Sequence, residues 1–210
     1  MKITVIGAGE MGSAIVKQLN TAGHLIRVTC KSSGRAKLLE QRHTAVRAVA
    51  PNGAANGADV VIVATRFIDA IDALNAVGDL KGMTVVDVTN PLTADYKSLT
   101  VGRKTSAAEQ ISMAFEGAKV VKAFNTVLAS VLADGGELGN GQRVNVFLAS
   151  DSQEAKQTVR RLVASMGSTA IDTGGLTNAR HLETLAALNL YMSRCVGLGV
   201  SARTSWAYRA

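Results

Sequence analysis

Six consecutive residues near the amino terminus, Gly7-Ala8-Gly9-Glu10-Met11-Gly12, have the types and spacing to cradle a pyrophosphate. A G-x-G-x-x-G run is weak evidence alone. It becomes strong when a strand leads into it and a helix leaves it. Gly7 would let the backbone turn tightly off the strand. Gly9 would let phosphates approach the main chain, and Gly12 would let helix and strand pack closely. The phosphates would then sit over the amino end of the helix, where free N–H groups and the helix dipole favour negative charge.

The second set of candidate residues decides which dinucleotide. NAD-binding units of this type place an Asp or Glu about 20 residues beyond the glycines to hold the ribose 2′-hydroxyl. Here the corresponding stretch is Cys30-Lys31-Ser32-Ser33-Gly34-Arg35-Ala36-Lys37, without a carboxylate. Lys31 and Arg35 suit a 2′-phosphate, with Ser32 or Ser33 as hydrogen-bond donors, so NADP is expected over NAD. A basic solvated loop is the plainer alternative. Thr65, Asn90 and Asn125 end three apolar runs, and in an open parallel sheet the carboxyl ends of strands line the ligand crevice. They are candidate contacts to the nicotinamide half of the cofactor, and equally candidate turn formers.

The elements that must position these residues follow from apolar patterning. Lys2 to Ile6 and Leu25 to Cys30 read as buried parallel strands, with a helix through Ala14–Leu19 between them that stops at Gly23. A short helix through Leu38 and Leu39, a third strand at 44–49, a break at Pro51-Asn52-Gly53 and a helical turn at 54–58 come next. Residues 59–65 form the clearest strand, and Phe67, Ile68, Ile71 and Leu74 mark one face of the helix after it. Strands are expected at 84–88 and 120–124, with a helix from Ser106 to Phe115 between them. A further strand at 144–149, a helix capped by Ser150-Asp151-Ser152 and buried through Val159, Leu162 and Val163, and a strand at 169–172 continue the pattern. A last helix, from Asn178 to about Val196, shows Leu182, Leu185, Leu188 and Met192 at helical spacing. Its tail carries Trp206 and Tyr208, an aromatic pair expected to pack on its own domain or on a second copy. The expected architecture is α/β: a Rossmann-type, doubly wound, mostly parallel sheet with a small carboxy-terminal helical lobe. It forms one domain over residues 1–210, with 174–210 as the last helix and tail.

Composition narrows the function. At 210 residues, 47% hydrophobic and with only two prolines, the chain suits a compact globular protein. A net charge of +7 points to anionic partners, which phosphorylated coenzymes satisfy. With 4% aromatics and no basic stripe interleaved with them, nucleic acid is not an expected partner. Cys30 and Cys195 form no C-x-x-C, so neither a metal site nor a redox pair is suggested. The first strand begins at once, and no apolar run is long enough to span a bilayer. A cytoplasmic protein without membrane association is therefore expected. His24, His43 and His181 share no motif and read as structural or surface residues.

Four stretches in order, the opening glycines, Thr89-Asn90-Pro91-Leu92, Val120-Val121-Lys122-Ala123-Phe124-Asn125-Thr126 and Asp172-Thr173-Gly174-Gly175-Leu176, resemble the coenzyme F420-dependent NADP oxidoreductase family. They also resemble the related oxidoreductase domain of the STEAP metalloreductases. The resemblance implies an enzyme that passes hydride between NADP(H) and a deazaflavin (coenzyme F420), or in the STEAP branch a flavin such as FMN or FAD. It implies that Gly7 to Gly12 hold the pyrophosphate, that Cys30 stands where the family has a serine at the 2′-phosphate, and that Lys31 and Arg35 supply the neighbouring charges. Lys31 replaces a family arginine and lacks its planar fork. Ala64, Thr65, Arg66 and Phe67 match a segment flanking the nicotinamide, where the deazaflavin enzymes carry Pro-Trp. Asn90, Pro91 and Ala123 join the cofactor contacts by the same match. Asn125 stands where those enzymes have a histidine and looks closer to the STEAP branch. Phe67, Gly174, Gly175 and Leu176 would form the lip under the acceptor ring.

Such hydride transfer needs no catalytic acid, base or metal, and none is assigned. Two other readings remain open. One is an NADPH sensor without turnover. The other is a reductase of a small imine or carbonyl, although those enzymes need a substantial helical domain after the first half. A homodimer is expected from the apolar last helix and aromatic tail.

Overall fold

Val- and Ile-rich runs of four or five residues, each flanked by a helix-forming segment, dictate a parallel sheet buried on both faces. The computed structural model of the chain describes residues 1–102, 104–138, 141 and 143–199. Strands β1 (Lys2–Ile6), β2 (Leu25–Thr29), β3 (Val46–Ala48), β4 (Val60–Val63), β5 (Thr84–Asp87) and β6 (Lys119–Lys122) form one sheet in the order β3-β2-β1-β4-β5-β6. Every pairing in it is parallel. The order reverses between β1 and β4, the position at which a crevice opens at the carboxyl ends of the strands. The Rossmann-type expectation holds.

Helices α1 (Glu10–Thr21), α2 (Ser33–Arg42), α3 (Ala70–Asn75), α4 (Ala107–Ala114), α5 (Ala129–Ala133), α6 (Gln153–Ser165) and α7 (Ala179–Arg194) cover the two faces. Strand alternation sorts the core. Ile3, Val5, Ile62, Val86 and Val121 join residues of α1, α2, α5 and α6 in one cluster. Ile6, Val61, Val63, Val85 and Val120 join those of α3, α4 and α7 in the other. Strands β7 (Asn145–Leu148) and β8 (Thr169–Asp172) pair with each other in a separate two-stranded sheet. One antiparallel bridge, Lys122 to Ala149, ties that pair to β6.

The structure corrects several local expectations. Basic residues 33–37 are the first turns of α2 rather than loop, with Ser32 as its amino-terminal cap. Residues 51–58 make consecutive turns, not a helix, and still bury Ala54 and Ala55. Ile68 is 82% exposed, because a 3-10 turn at Phe67–Asp69 delays α3 and rotates that face outward. On α7 the buried stripe is Ala179, Leu182, Glu183, Ala186, Asn189 and Ser193, while Leu188 is exposed. Of the expected stripe, Leu182 is buried and Leu185 and Met192 are half-buried, and Leu188 alone of the four faces out, because the buried face also takes in the polar Glu183, Asn189 and Ser193. The expected aromatic pair Trp206 and Tyr208 falls outside the described residues. Among the described residues no helix is long and apolar enough to cross a membrane.

Glu183 belongs to a buried ion cluster. Asp87 and Lys122 are register partners on adjacent strands and point to the α4/α7 face. Lys122 Nζ lies 2.8 Å from Asp87 Oδ2, 2.8 Å from Glu183 Oε1 and 2.6 Å from the Thr89 carbonyl oxygen, which accepts its third hydrogen bond. All three charged side chains are at most 1% exposed. Glu183 also accepts hydrogen bonds from the backbone N–H groups of Ala107 and Ala108, at 3.1 and 3.4 Å. Ser106 accepts the N–H of Glu109 at 3.1 Å. The free amides at the start of α4 are thereby satisfied, and a negative charge sits at the positive end of its dipole. A bidentate pair, Arg180 to Glu109 at 2.6 and 2.8 Å, fixes the same two helices from the rim.

Burial pushes the Glu183 carboxyl above the ordinary glutamate range, and the pull of Lys122 in the opposite direction does not offset it. A carboxyl with a raised folded-state pKa takes up its proton more readily folded than unfolded. The stability linked to that proton is complete below the ordinary range and is lost as pH climbs through the raised folded value. Glu183→Gln, which does not titrate, should therefore gain stability relative to the wild type as pH rises upward from about 4.3, as read by urea unfolding at a series of pH values. Lys122→Met, which strands two buried carboxylates, should cost about 3–5 kcal/mol at neutral pH in the same measurement.

Candidate functional site

The glycine turn connects β1 directly to α1, and each glycine meets a different environment. A Cβ on Gly12 would stand 2.1 Å from the Gly7 carbonyl oxygen, and one on Gly7 would stand 2.5 Å from that of Ala64. Gly7 also has φ of +115°, a conformation closed to most side chains. These two glycines are required by the packing of turn, helix and β4. Gly9 differs. It has φ of −81°, and a Cβ there would meet nothing within 4 Å. It is exposed and caps α1 with no side-chain hydrogen bond, so the first amides of the helix face open space. Ala8 and Met11 are partly buried and Glu10 is exposed in the first turn of α1. Glu10 pairs with Arg194 at 3.1 Å.

The basic stretch stands at the end of β2. Lys31, Ser32 and Arg35 are exposed, and Cys30, half-buried, donates a weak hydrogen bond from Sγ to the Ser32 carbonyl oxygen at 2.9 Å. Across the tip of β1, on the turn that follows β4, Ala64 and Thr65 are half-buried and Arg66 is exposed. Arg66 and Lys31 both bind Asp69, which those sequence expectations did not include. The two cations hold the Asp69 carboxyl below its ordinary range, the Lys31 hydrogen bond first and that of Arg66 next.

Asn90 and Asn125 come together at the ends of β5 and β6. Asn125 Nδ2 donates to Asn90 Oδ1 at 3.0 Å and to the Leu182 carbonyl oxygen at 3.1 Å, and Asn90 Nδ2 donates to the Asn125 carbonyl oxygen at 3.0 Å. Phe124, fully buried with φ of +63°, turns the chain off β6 into this position. A buried aromatic residue in the left-handed region is strained, and such strain persists only where the surroundings hold it. The Asn125 side-chain oxygen is buried and has no hydrogen-bond partner among the described residues. An acceptor left in that state calls for a donor from a ligand or water. Pro91 and Ala123 are buried, and their main chain is already engaged: the Pro91 carbonyl oxygen accepts the Thr100 N–H at 2.7 Å and the Ala123 N–H donates to the Asp87 carbonyl oxygen at 3.1 Å, so the two residues back the crevice and do not line it.

The proposed acceptor lip follows β8. Gly174, with φ of +97°, accepts the Ser150 N–H at 3.1 Å, and Asp151 accepts the Leu176 N–H at 2.9 Å. Leu176 is 5% exposed and packs in the core, so Gly174 and Gly175 form the accessible part of this stretch. Phe67 is half-buried on the turn after β4.

Residues missed at first reading are Asp69, Asp87, Lys122 and Glu183. Asp87 and Lys122 did leave a signal. Each is a charge inside an apolar strand run, and opposite charges at equivalent places of two neighbouring strands predict a buried pair. Asp69 and Glu183 left none, since each depends on contacts far along the chain.

The family described as "NADP oxidoreductase coenzyme F420-dependent" matches residues 2–91. The chain is 28% identical to the F420-dependent NADP reductase of Methanothermobacter marburgensis over 208 residues, covering 90% of each chain. It is 29% identical to the metalloreductase STEAP3 of Rattus norvegicus over 88% of this chain, which spans only 36% of that protein. A crystal structure of a "putative f420 dependent nadp-reductase" from Arthrobacter sp. FB24 superposes with a TM-score of 0.88 at 30% identity. It covers 99% of this chain and 100% of that one.

The contrast between the glycines is testable. Gly12→Ala should lower unfolding stability by about 1–3 kcal/mol or more, because backbone must move. Gly9→Ala should change it by only about 0.5–1 kcal/mol while weakening NADPH binding by at least about tenfold. Parallel urea unfolding and NADPH titration of the two variants check this.

Proposed function

Because the chain belongs to the coenzyme F420-dependent NADP oxidoreductase family and is an NADP-dependent oxidoreductase, we propose that it moves hydride between NADPH and a deazaflavin of the F420 type or a flavin. The observation that carries this reading is the amino end of α1, open at Gly9 and flanked by a β2-end stretch with cations and no carboxylate. The pyrophosphate would rest on Gly7 to Gly12, and Cys30, Lys31, Ser32 and Arg35 would take the 2′-phosphate. The buried Asn125 oxygen suits the N–H of a carboxamide, which would fix the nicotinamide face. Ala64, Thr65 and Asn90 would line that half of the crevice, backed by the buried Pro91 and Ala123. Gly174 and Gly175, half-buried and without side chains, would let an acceptor ring approach the main chain, and Phe67 would contact it from the turn after β4.

When bound, the nicotinamide supplies the hydride. The chain's own task is to orient two rings and keep water out, and it requires no acid or base at the reacting carbon. That accounts for a crevice walled by amides and main chain.

Purified protein, anaerobic NADPH, and coenzyme F420 or FMN in parallel make the decisive assay. Turnover with F420 supports the deazaflavin reading, and FMN reduction alone moves the protein to the flavin branch. NADPH binding with neither reduced would overturn the deazaflavin and flavin reading in favour of a sensor or a reductase of another substrate.

We also propose a homodimer through α7. Leu188, Tyr191, Val196 and Leu198 are each at least 40% exposed at its outer face and end, with Met113 of α4 71% exposed. A run of this kind is the usual mark of an interaction surface. Light scattering at micromolar concentration should give twice the monomer mass, and Leu188→Lys with Tyr191→Lys should return it to one.

A further inference from the structure

The Lys31–Asp69–Arg66 cluster joins parts of the chain that the fold need not bring together. Strands β2 and β4 flank β1 on opposite sides, so the stretch after β2 and the turn after β4 stand on either side of the glycine turn. Lys31 Nζ crosses that gap to Asp69 Oδ1 at 2.7 Å, between residues 38 apart in sequence. Arg66 holds the other carboxylate oxygen through Nε at 2.9 Å and Nη2 at 2.8 Å. Both cations are about 80% exposed, at 79% and 81%, whereas Asp69 is 21% exposed beneath them.

With a pyrophosphate on α1, the adenosine must run from the glycine turn toward the end of β2. Its path lies in the gap that this ion pair spans. Two cations gathered on one carboxylate, a compact anion with paired oxygens, present the recognition pattern of a phosphate monoester. A 2′-phosphate carries close to two negative charges and three acceptor oxygens. It can therefore take both cations from a single carboxylate. Lys31 offers only a point charge, and the planar fork that grips a phosphate in fixed geometry comes from Arg66.

We propose that Arg66 is a 2′-phosphate ligand, and that Asp69 is a built-in carboxylate holding Arg66 and Lys31 in the phosphate's place until the nucleotide displaces it. This rests on the NADP reading above and adds to it a residue that sets cofactor specificity and one that opposes binding. Arg66 then serves the adenosine end of the cofactor and not the nicotinamide end to which its position in the sequence assigned it. Asp69 also discriminates. A ribose 2′-hydroxyl carries no charge to displace it, so the clasp stays shut on the unphosphorylated nucleotide.

The test uses the full chain and two probes of the adenosine half, adenosine 2′,5′-bisphosphate and 5′-AMP, titrated by calorimetry at fixed ionic strength. Arg66→Ala should weaken the bisphosphate about tenfold and 5′-AMP less than about twofold, with Arg66→Lys between. Asp69→Asn should tighten the bisphosphate about threefold or more and leave 5′-AMP within about twofold. Thermal melts should stay close to wild type, since these side chains sit outside the core. Equal loss of both probes in Arg66→Ala, or weaker bisphosphate binding in Asp69→Asn, would overturn this inference while leaving the NADP reading standing. A wild-type protein that binds both probes equally would overturn the NADP reading itself, and this inference with it.

Discussion

Lys122, a full positive charge with no solvent exposure, is the constraint around which the carboxyl half of the molecule is arranged. An ammonium group taken out of water is tolerable only if its hydrogen bonds are all met and its charge is answered. Asp87 on the next strand answers it within the sheet, and Glu183 answers it again from α7. Two carboxylates for one cation leave an excess negative charge, which the first amides of α4 take up. Strand, strand and two helices are thereby held in a single network. Hydrophobic contacts specify such an arrangement only loosely, because an apolar helix face can slide or rotate by a fraction of a turn. Here a rotation of α7 would break three kinds of polar contact together.

The wall of the crevice at the ends of β5 and β6, proposed above to face the nicotinamide, inherits its shape from this network. Asn125 follows Lys122 by three residues, and Glu183 follows Leu182, whose carbonyl oxygen accepts from Asn125. Asn189, about two turns beyond Leu182 on α7, donates to the Thr126 carbonyl oxygen at 3.0 Å. The strained conformation of Phe124 is held between these anchors. The end proposed to take the adenosine is built differently, from exposed cations and one mostly covered carboxylate after β2 and β4. One end of the crevice is buried and closely hydrogen-bonded, and the other is exposed and charged. That division suits a cofactor whose reacting ring must be placed to a fraction of an ångström while its far end is recognised mainly by charge.

The sheet was legible from sequence because parallel strands buried on both faces are written as continuous apolar runs, and because the glycine turn is a local structure with local requirements. Six of those runs lie where the strands are, to within a residue or two at each end. The capping of α6 by Ser152 was legible for the same reason: caps depend on residues three apart. The inner face of α7 was legible only in part. Its leucine spacing located Leu182 and Leu185, but Glu183 and Asn189 on the same face answer groups that lie in other elements far along the chain. Asp69 was hidden similarly, since an aspartate after a strand means nothing until the fold carries Lys31 over to it. Side chains that serve their neighbours in sequence can be read from the sequence, and those that serve distant ones mostly cannot.

The distance in chain between the α4 amides and the carboxylate that caps them has a consequence for the order of events during synthesis. Ala107 and Glu183 are 76 residues apart, which at roughly 5–20 residues per second is on the order of 4–15 s of translation. The amino half of the sheet, with its local βαβ unit, can settle in that interval. Asp87 and Lys122 can find each other as well. The start of α4 and the crevice wall at Asn125 must wait for the last helix to emerge. A nascent chain of this protein would thus acquire its glycine turn well before it acquires the wall at Asn125, and so the two ends of the proposed cofactor crevice would form at different times.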